Sequence, residues 1–510
     1  MKIRIIAIIL CGFIIFPLFS SARSDESMQE ERSGTSVYSE IDAYIAREMK
    51  RQRLPGLALG IVQGNRILYL KGYGQADSSG RPVTPETPFG LGSIGKSITA
   101  IAVLQLAESG KIDLDAPIQR YLPAMFIGAE FITVRQLLNQ TSGFTQISTF
   151  SNTLSSANDQ YQDAIEKNAL SYAEKFLKQT KQTEHPYTYS NANYVLLGYI
   201  VQRVSGQSYG DYVKENIFEP LSMQDSYVTL DEAATHGLAT PYRRIFGYNV
   251  PYDGPFVYIA GDSPAGYMYT SAKDMSHYLI AQMNGGRFED DSVLTSESIR
   301  LMQTEPVPGT YAMGWSSDDI NGLRVIGSPG GSLGFQAQTF MVSEQQLGVI
   351  VFANVLDAID AEWPDTHVIT TTHIASGVIN LLNEQPIGES GLSISQKYML
   401  INGLLFILSA WLLYTTARTA KCCLGPWSPD NSNHTKISIK VLSRIVLNFA
   451  GLFMILVLSM TQVVPVWHMA TIFQPDVFLW LKIVTGLMAL KGSMEIIRLV
   501  RSIWHKKHLS

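Results

Sequence analysis

Apolar residues recur with helical spacing near the start of the chain and form short β-rich runs directly after it. A helix is predicted over Val37–Arg51, where apolar positions lie three or four residues apart. Two strand-like runs follow, Leu57–Val62 and Ile67–Leu70, and the Gly64-Asn65 pair between them is typical of a tight hairpin turn. We therefore predict a helix followed by two antiparallel strands.

The middle of the chain, from residue 113 to about residue 262, has a mostly helical and loop-like pattern. Thr133 and Ser271 stand where N-caps are expected, each directly before an apolar periodic run. Another helix is predicted over Asn193–Val204, where Ser205-Gly206 ends it. This part predicts a mostly helical subdomain.

Strand-like runs return later in the chain, and a helical pattern over His367–Leu382 follows them. The predicted strands are Leu323–Ile326, Phe335–Val342 and Gly348–Asn354. Strands at both ends with helices between them indicate an antiparallel sheet assembled from both ends and flanked by helices. The predicted fold class is α+β, with a mostly helical second subdomain.

The N-terminus has the organisation of an export signal. Lys2 and Arg4 precede an apolar run, and Ser20-Ser21-Ala22 supplies small residues for cleavage, so a signal peptide is predicted over residues 1–22. An uncleaved anchor is the alternative, and both place the following residues outside the cytoplasm. Residues 23–36 are polar and predict a tether.

The C-terminal part has the composition of a membrane domain. Residues 384–397 form a linker by composition, and residues 398–510 contain about three predicted transmembrane helices, at 398–416, 445–467 and 473–490. The third is the weakest, because Asp476 and Lys482 interrupt it and would have to lie near the interface. Lys and Arg concentrate at 418–444 and 491–507 and are absent from 468–476, which predicts a cytoplasmic tail and a multi-pass protein of the cell membrane with its larger domain outside the cytoplasm.

Composition narrows the function classes. The chain has 510 residues and a net charge of -5, and no basic stripe precedes the linker, so no nucleic-acid partner is expected. The nine histidines are scattered and no metal-ligand spacing occurs, so no metal or other cofactor is expected. Cysteine is absent between the predicted signal and membrane segments, so the exported domain must fold without disulfides.

One stretch, Phe89–Ala100, combines glycines with a serine and a lysine at Ser-x-x-Lys spacing. Ser93 would lie at a helix N-terminus, where free N–H groups favour negative charge, and Lys96 would lie one turn further on the same face. A crowded lysine can lose its proton and act as base toward the hydroxyl. Because this spacing also arises by chance, an N-cap serine with a solvated lysine is the alternative.

Four blocks in order resemble the serine β-lactamase and penicillin-binding-protein-like family, in its branch of class C β-lactamases, D-aminopeptidases and esterases. These blocks, all within a predicted domain of residues 37–383, are Phe89–Lys96, Ile132–Gly143, Tyr189–Asn191 with Tyr194–Val201, and Pro264–Gly266 with Thr270–Asp274. The resemblance implies that Ser93 is the acylated nucleophile, kept reactive by Lys96. It also implies that Tyr189 is a partner base whose phenol Lys96 makes more acidic, and that Asn191 binds Lys96 and the substrate amide.

The third box of the family departs from its usual pattern. Where the family has Lys or His, then any residue, then Gly, this chain has Ser328-Pro329-Gly330, so a carboxylate-bearing substrate loses a cationic partner. The backbone N–H of Gly331 would complete an oxyanion hole with that of Ser93. Pro329 donates no N–H, which suits an edge strand. Gln140 stands where the family commonly has His, and we expect a packing role for it.

A second serine needs to be weighed as nucleophile. Gly330–Gly334 matches Gly-x-Ser-x-Gly around Ser332, and acidic and histidine residues follow in α/β-hydrolase order at Asp357, Asp360, His367 and His373. That elbow needs a helix directly after the serine, whereas Phe335–Val342 alternates like a strand. The pattern therefore disfavours this alternative.

Two functions stay open at this stage. The first is a membrane-anchored serine hydrolase acting through an acyl-enzyme on a small-molecule or peptide substrate, an amide or ester, with D-amino-acid or cell-wall-related peptides as candidates. The second is a penicillin-binding-type sensor with little or no turnover, which Ser328 and the membrane segments favour. The oligomeric state is not indicated by the sequence.

Overall fold

The computed structural model describes residues 36–122, 132–145, 161–177, 187–252, 259–304, 311–356, 359, 370–388, 391–424, 442–450 and 474–509. The predicted signal peptide and almost all of the tether lie outside the described residues. Contacts divide the chain into two units, Met1–Tyr44 and Ile45–Ser510. The described part of the first unit is helical from Val37 onward.

Helices and strands alternate along the chain in the order that the hydrophobic pattern predicts, with a few additions. The helices are α1 (Val37–Gln52), α2 (Gly95–Glu108), α3 (Val134–Leu138), α4 (Tyr161–Leu177), α5 (Asn191–Ser205), α6 (Tyr209–Val213), α7 (Leu230–Thr235), α8 (Ala272–Met283), α9 (Ser296–Gln303), α10 (Thr370–Leu382), α11 (Ile394–Leu424) and α12 (Pro475–Leu509). The strands are β1 (Gly56–Gln63), β2 (Arg66–Gly74), β3 (Phe89–Gly90), β4 (Tyr242–Ile245), β5 (Tyr248–Pro251), β6 (Tyr269–Thr270), β7 (Arg287–Phe288), β8 (Asp291–Ser292), β9 (Ser316–Ile320), β10 (Leu323–Ser332), β11 (Phe335–Val342) and β12 (Leu347–Ala353).

The main sheet has six antiparallel strands in the order β2-β1-β12-β11-β10-β9. The early hairpin β1–β2 therefore pairs with strands contributed some 290 residues later, which confirms the predicted α+β fold with a sheet built from both ends. The β1–β2 turn is Gly64-Asn65, as predicted, and Gly64 has a φ of +54°.

Helices cover both faces of this sheet. On one face α8 packs against β1 and β12, where a Cβ at Gly60 would lie 2.9 Å from Ser276 Oγ. On the other face Gln336 and Gln338 of β11 bind α10, through Thr371 N–H (3.1 Å) and the Thr372 hydroxyl (2.7 Å). Every residue of β11 is buried, as expected for a strand covered on both sides.

The helical subdomain is organised around α2 and α5, which are buried over most of their length. The predicted caps are present: Thr133 forms a capping box with Gln136 at α3, and Ser271 accepts from Asp274 N–H at α8. Gly206, with a φ of +76°, ends α5 where the sequence predicts.

Strand β10 is longer than predicted and is not the edge of the sheet. It continues to Ser332, between β11 and β9. Its pairing with β9 ends at Gly327, so Ser328 to Ser332 pair with β11 alone among the main-sheet strands. Pro329 is tolerated for the expected reason, the lack of a strand on one side, although the strand as a whole is internal.

Two C-terminal helices are long and apolar enough to cross a membrane: Ile394–Leu424, which contains an 18-residue stretch with a mean hydropathy of 1.7, and Pro475–Arg501 of α12, which contains one with a mean hydropathy of 1.4. They cover the first and third predicted spans, and α11 begins four residues inside the predicted linker. Of the predicted span 445–467, only residues 445–450 are described, and they are helical. The first and third predicted spans thus have the length and apolar composition that the sequence predicts.

The starts of α11 and α12 contact the small hairpin β4–β5, which the sequence pattern did not predict. Phe246 N–H donates to the Asp476 carboxylate (2.7 Å), and Asn402 Nδ2 donates to the Phe246 carbonyl (3.1 Å). Gly247, at a φ of +87°, packs against the Tyr398 ring. The carboxylate that interrupts the third apolar run is therefore buried at the first turn of α12 and holds the hairpin tip.

Candidate active site

Ser93 lies in a short 3₁₀ turn, Gly92–Ile94, between β3 and α2. Gly92 has a φ of +54°, and a Cβ there would lie 2.4 Å from the backbone nitrogen of Gly331, so the turn requires glycine. Leu91 N–H donates to the Met268 carbonyl (2.9 Å) and fixes the turn from the other side. Ser93 is thus held one turn ahead of α2 and beside β10.

Lys96 is fully buried on the first turn of α2. Its Nζ lies 3.1 Å from Ser93 Oγ and also donates to the Ala265 carbonyl. Burial lowers the pKa of Lys96 to about 7, although the charge of Asp262 opposes this. Near neutral pH a large fraction of Lys96 is therefore uncharged and able to accept a proton from Ser93.

Tyr189 also contacts Ser93 and donates its hydroxyl to Ser93 Oγ (2.7 Å). Lys96 Nζ lies 4.9 Å from the centre of the Tyr189 ring. Burial raises the pKa of Tyr189 well above its ordinary value, and the hydrogen bond to Ser93 offsets only part of this. The direction of this shift is opposite to the expected acidification by Lys96, so Tyr189 rests as a proton donor.

The segment that carries Tyr189 is held in place by Gln140. The Gln140 side-chain oxygen accepts from Ser190 N–H (3.0 Å) and from Asn193 Nδ2, and its backbone carbonyl accepts from Thr188 N–H (2.9 Å). Gln140 is fully buried and has a φ of +60°. Beyond the packing role expected for it, Gln140 therefore binds the chain on both sides of Tyr189.

Asn191, predicted to bind Lys96 and the substrate amide, is the first residue of α5. Its position follows that of Tyr189, because the two stand two residues apart in the segment that Gln140 binds. Its predicted contacts with Lys96 and substrate stay predictions.

The third-box residues lie on β10 directly beside the serine turn. A Cβ at Gly330 would lie 2.0 Å from the Leu91 carbonyl oxygen, so glycine is required there too. Gly331 is the residue whose backbone nitrogen faces Gly92. Ser328 is buried and, by register with Thr339 and Ile350, shares the sheet face covered by α8. Backbone packing thus brings Gly330 and Gly331 to Ser93, while Ser328 supplies no charge.

A group of tyrosines surrounds Tyr189, and the sequence reading did not include it in the site. Tyr311 stacks on Tyr187 (6.1 Å between ring centres) and meets Tyr189 and Tyr194 edge-on (5.9 and 6.5 Å). Burial raises the pKa of all four phenols, so the group is uncharged. Tyr187, 38% exposed, gives one side of the site an aromatic rim. Tyr311 comes from a loop 122 residues away in sequence, and no local motif marks it.

The alternative nucleophile Ser332 does not lie on a nucleophile elbow. It is the last residue of β10 and pairs with Phe335 across the two-residue turn Leu333-Gly334, so a strand follows it and not a helix. His373 lies on α10, and Asp357, Asp360 and His367 fall outside the described residues. The Gly-x-Ser-x-Gly interpretation is therefore wrong.

Within the described ranges, no three His, Cys, Asp or Glu side chains converge as metal ligands. A surface pocket of about 720 Å³ is lined by Asn65, Arg66, His277 and Arg287, among others, and includes none of the predicted site residues. Around Ser93 the structure places the Lys96 amine and the Tyr189 phenol, with the Gly330–Gly331 backbone beside the serine turn.

Comparison with known proteins gives consistent matches over the same region. The profile of the Beta-lactamase family matches residues 41–369. Protein flp of Staphylococcus aureus is 28% identical over 327 residues, 62% of this chain and 63% of that protein, so the chain spans less than two thirds of this curated relative.

Solved structures also match this chain. The octameric penicillin-binding protein homologue from Pyrococcus abyssi matches with a TM-score of 0.57 and 27% identity, over 68% of this chain and 78% of that one. The D-amino acid amidase from Ochrobactrum anthropi SV3 shares the fold, with a TM-score of 0.56 and 23% identity over 68% of this chain and 97% of its own.

Proposed function

Because this chain belongs to the beta-lactamase family, we propose that it is a membrane-anchored serine hydrolase that cleaves amides or esters through an acyl-enzyme. The observation that carries the proposal is the double contact at Ser93, whose Oγ lies 3.1 Å from Lys96 Nζ and 2.7 Å from the Tyr189 hydroxyl. A hydroxyl held between a partly neutral amine and a phenol is arranged for proton transfer on both sides.

The proton path follows from the two shifted pKa values. Neutral Lys96 accepts the Ser93 proton as Oγ attacks the substrate carbonyl, and becomes an ammonium. Tyr189 gives its proton to the leaving amine or alcohol and regains one from the Lys96 ammonium, so that in net terms one proton passes from Ser93 to the product. In deacylation, water replaces the leaving group and the same transfers run in reverse.

Negative charge develops on the carbonyl oxygen during attack. The backbone N–H groups of Ser93 and Gly331 are the proposed donors to it, supported by the contact between the serine turn and β10. Such donors stabilise the transition state strongly because they are already oriented.

The substrate class follows from the charges around Ser93. Ser328 occupies the position of the family's cation, so a free carboxylate on the substrate gains no ionic partner there. The tyrosine rim adds an uncharged aromatic surface. We therefore assign neutral amides and esters, with D-amino-acid or cell-wall-related peptides in neutral form as candidates, to which the fold of the D-amino acid amidase lends support.

Membrane anchoring is supported by the way α11 and α12 lie together. Gln474 and Tyr398 hydrogen-bond at the starts of the two helices (3.2 Å), and Lys491 and Thr415 hydrogen-bond further along both (3.0 Å), so the helices run parallel. Parallel spans need an intervening segment that recrosses the bilayer, and the predicted span 445–467 lies between them. Positive residues at both C-terminal ends favour a cytoplasmic side there and an extracytoplasmic catalytic domain.

The alternative is a penicillin-binding-type sensor with little turnover, favoured by Ser328 together with the membrane helices. The two functions differ in the lifetime of the acyl-enzyme. A sensor stays acylated, whereas a hydrolase returns to the free enzyme.

The test is covalent labelling of the full-length protein in detergent by a fluorophosphonate and a fluorescent β-lactam, followed by intact mass. Ser93→Ala and Ser332→Ala are compared with wild type. Labelling lost only in Ser93→Ala, with the acyl group from the β-lactam released over minutes, supports the hydrolase, and an adduct stable for hours supports the sensor. Labelling lost in Ser332→Ala alone, or absent from wild type, contradicts both.

A further inference from the structure

Asp262 is a buried carboxylate close to the candidate site that the proposed chemistry leaves unused. It lies on the 3₁₀ segment Ala260–Ala265 and is 1% exposed. Its Oδ1 accepts from Asn168 Nδ2 (3.0 Å) and from the Tyr172 hydroxyl (3.3 Å), both on α4. Burying a carboxylate costs free energy unless hydrogen bonds and an opposite charge compensate it, so we expect a positively charged group near Asp262.

The backbone around Asp262 is fixed by close packing on several sides. A Cβ at Gly261 would lie 2.3 Å from Asn168 Nδ2, and one at Gly198 of α5 would lie 2.2 Å from Pro264. Gly266, directly after the segment, packs against Gly92 in the serine turn. The carboxylate therefore cannot move away from the site without displacing α4, α5 or the serine turn.

The same segment binds Lys96. Ala265, three residues after Asp262, accepts from Lys96 Nζ through its carbonyl. Three residues make one turn of a 3₁₀ helix, so the residue that accepts from Lys96 and the buried carboxylate lie one turn apart on one short element. We propose that Asp262 is a positioning residue that supplies the buried counter-charge for Lys96 and thereby sets how readily Lys96 exchanges protons with Ser93.

The other titratable groups facing this pair are phenols. Tyr189 and Tyr194 lie under Lys96 Nζ, Tyr172 donates to Asp262, and Tyr267 follows the segment. Burial raises the pKa of Tyr189, Tyr194 and Tyr267, so these three carry no charge at neutral pH. Among the described residues, Asp262 is the group whose charge raises the pKa of Lys96 against the effect of burial.

The first experiment tests the charge pair without using activity, so it stays informative if the proposed hydrolase function fails. Melting temperatures of the full-length protein are measured at pH 6, where Lys96 is mostly charged, for Asp262→Asn, Lys96→Met and the double variant. Asp262→Asn should lower the melting temperature more in the wild-type background than in Lys96→Met, by about 2–6 °C. At pH 9, where Lys96 is neutral, this difference should vanish.

Equal losses in both backgrounds at pH 6 would overturn the proposal. If Asp262→Asn alone does not fold, folding of the double variant supports the pairing, and failure of both contradicts it. Tyr172→Phe is the matched control: it disturbs the same hydrogen-bond cluster but keeps the carboxylate, so its effect should be equal with and without Lys96.

The second experiment rests on the proposed function and follows the rate of Ser93 labelling by a fluorophosphonate from pH 5 to 9. Wild type should show a midpoint near pH 7. Without the carboxylate Lys96 loses its proton more easily, so Asp262→Asn should move the midpoint to lower pH by about one unit or more. Tyr172→Phe should leave it unchanged. An unchanged midpoint in Asp262→Asn would show that Asp262 is only structural.

Discussion

Replacing Gln140 tests how the site keeps Tyr189 in place. Gln140→Met preserves side-chain length and removes the oxygen that accepts from Ser190 N–H and Asn193 Nδ2. Ser190 and Asn193 are fully buried, so water does not readily replace the lost acceptor. The backbone bond from Thr188 to the Gln140 carbonyl is untouched, so the segment is released on one side of Tyr189 only.

The magnitude follows from the groups left without a partner. Two buried donors cost about 1–3 kcal/mol each when their acceptor is removed. Among the described residues Gln140 Nε2 has no hydrogen-bond partner, so methionine also removes one buried polar group and regains part of that cost. The net loss is about 1–3 kcal/mol, which lowers the melting temperature by about 2–6 °C. Displacement of Tyr189 should slow Ser93 labelling about tenfold.

The assay combines thermal unfolding with the fluorophosphonate labelling rate. Gln346→Met is the matched control, because Gln346 has a similar left-handed backbone (φ of +47°) but is exposed. That variant should match wild type in both measurements. If Gln140→Met also keeps the melting temperature within 1 °C and the labelling rate within twofold, Gln140 does not hold the Tyr189 segment and the reasoning is refuted.

Three further variants test the remaining parts of the site. Burial lowers the pKa of Lys96 to about 7, below its value in the unfolded chain, so the unfolded state binds more protons than the folded state above pH 7. The free energy of unfolding, measured with denaturant, should therefore rise from pH 7 to about 10. Lys96→Met should flatten this part of the profile. A wild-type profile without that rise would contradict the shift. Ser328→Lys restores a cation, so it should raise the acylation rate of a β-lactam carrying a free carboxylate about tenfold relative to its methyl ester; an equal change for both would argue against a charge role at this position. Gly92→Ala forces a Cβ against Gly331 N, so Ser93 labelling should fall at least about a hundredfold, and near wild-type labelling would remove the proposed oxyanion pair.

Elements set by local signals were predictable from the sequence. The Gly64-Asn65 turn, the Thr133 and Ser271 caps and the Gly206 stop depend on neighbouring residues, and all four are present. The hairpin β4–β5 was missed because its strands have four residues each and mixed polarity. Its position depends on long-range contacts with α11 and α12, which no local pattern contains.

The candidate site likewise has residues that the sequence predicts and residues that only the structure reveals. Ser93, Lys96 and Tyr189 stand in recognisable blocks, and the structure brings the three together. Gln140 lies 50 residues from its partner Ser190, and Asp262 lies 166 residues from Lys96, so these pairs are visible only in three dimensions. The raised pKa of Tyr189 was not predictable for a related reason, since the sequence shows the nearby lysine but not the burial of the phenol.

The charge balance around Ser93 connects the altered third box with the lysine. Among the described residues Lys96 has one carboxylate acting on it, Asp262, and Ser328 adds no second cation on the β10 side. A lysine or histidinium at Ser328 would repel the Lys96 ammonium and drive its pKa further down. Under the proposed function the serine therefore has two effects with one cause: it withdraws the attraction for a substrate carboxylate, and it leaves the proton affinity of Lys96 to burial and Asp262.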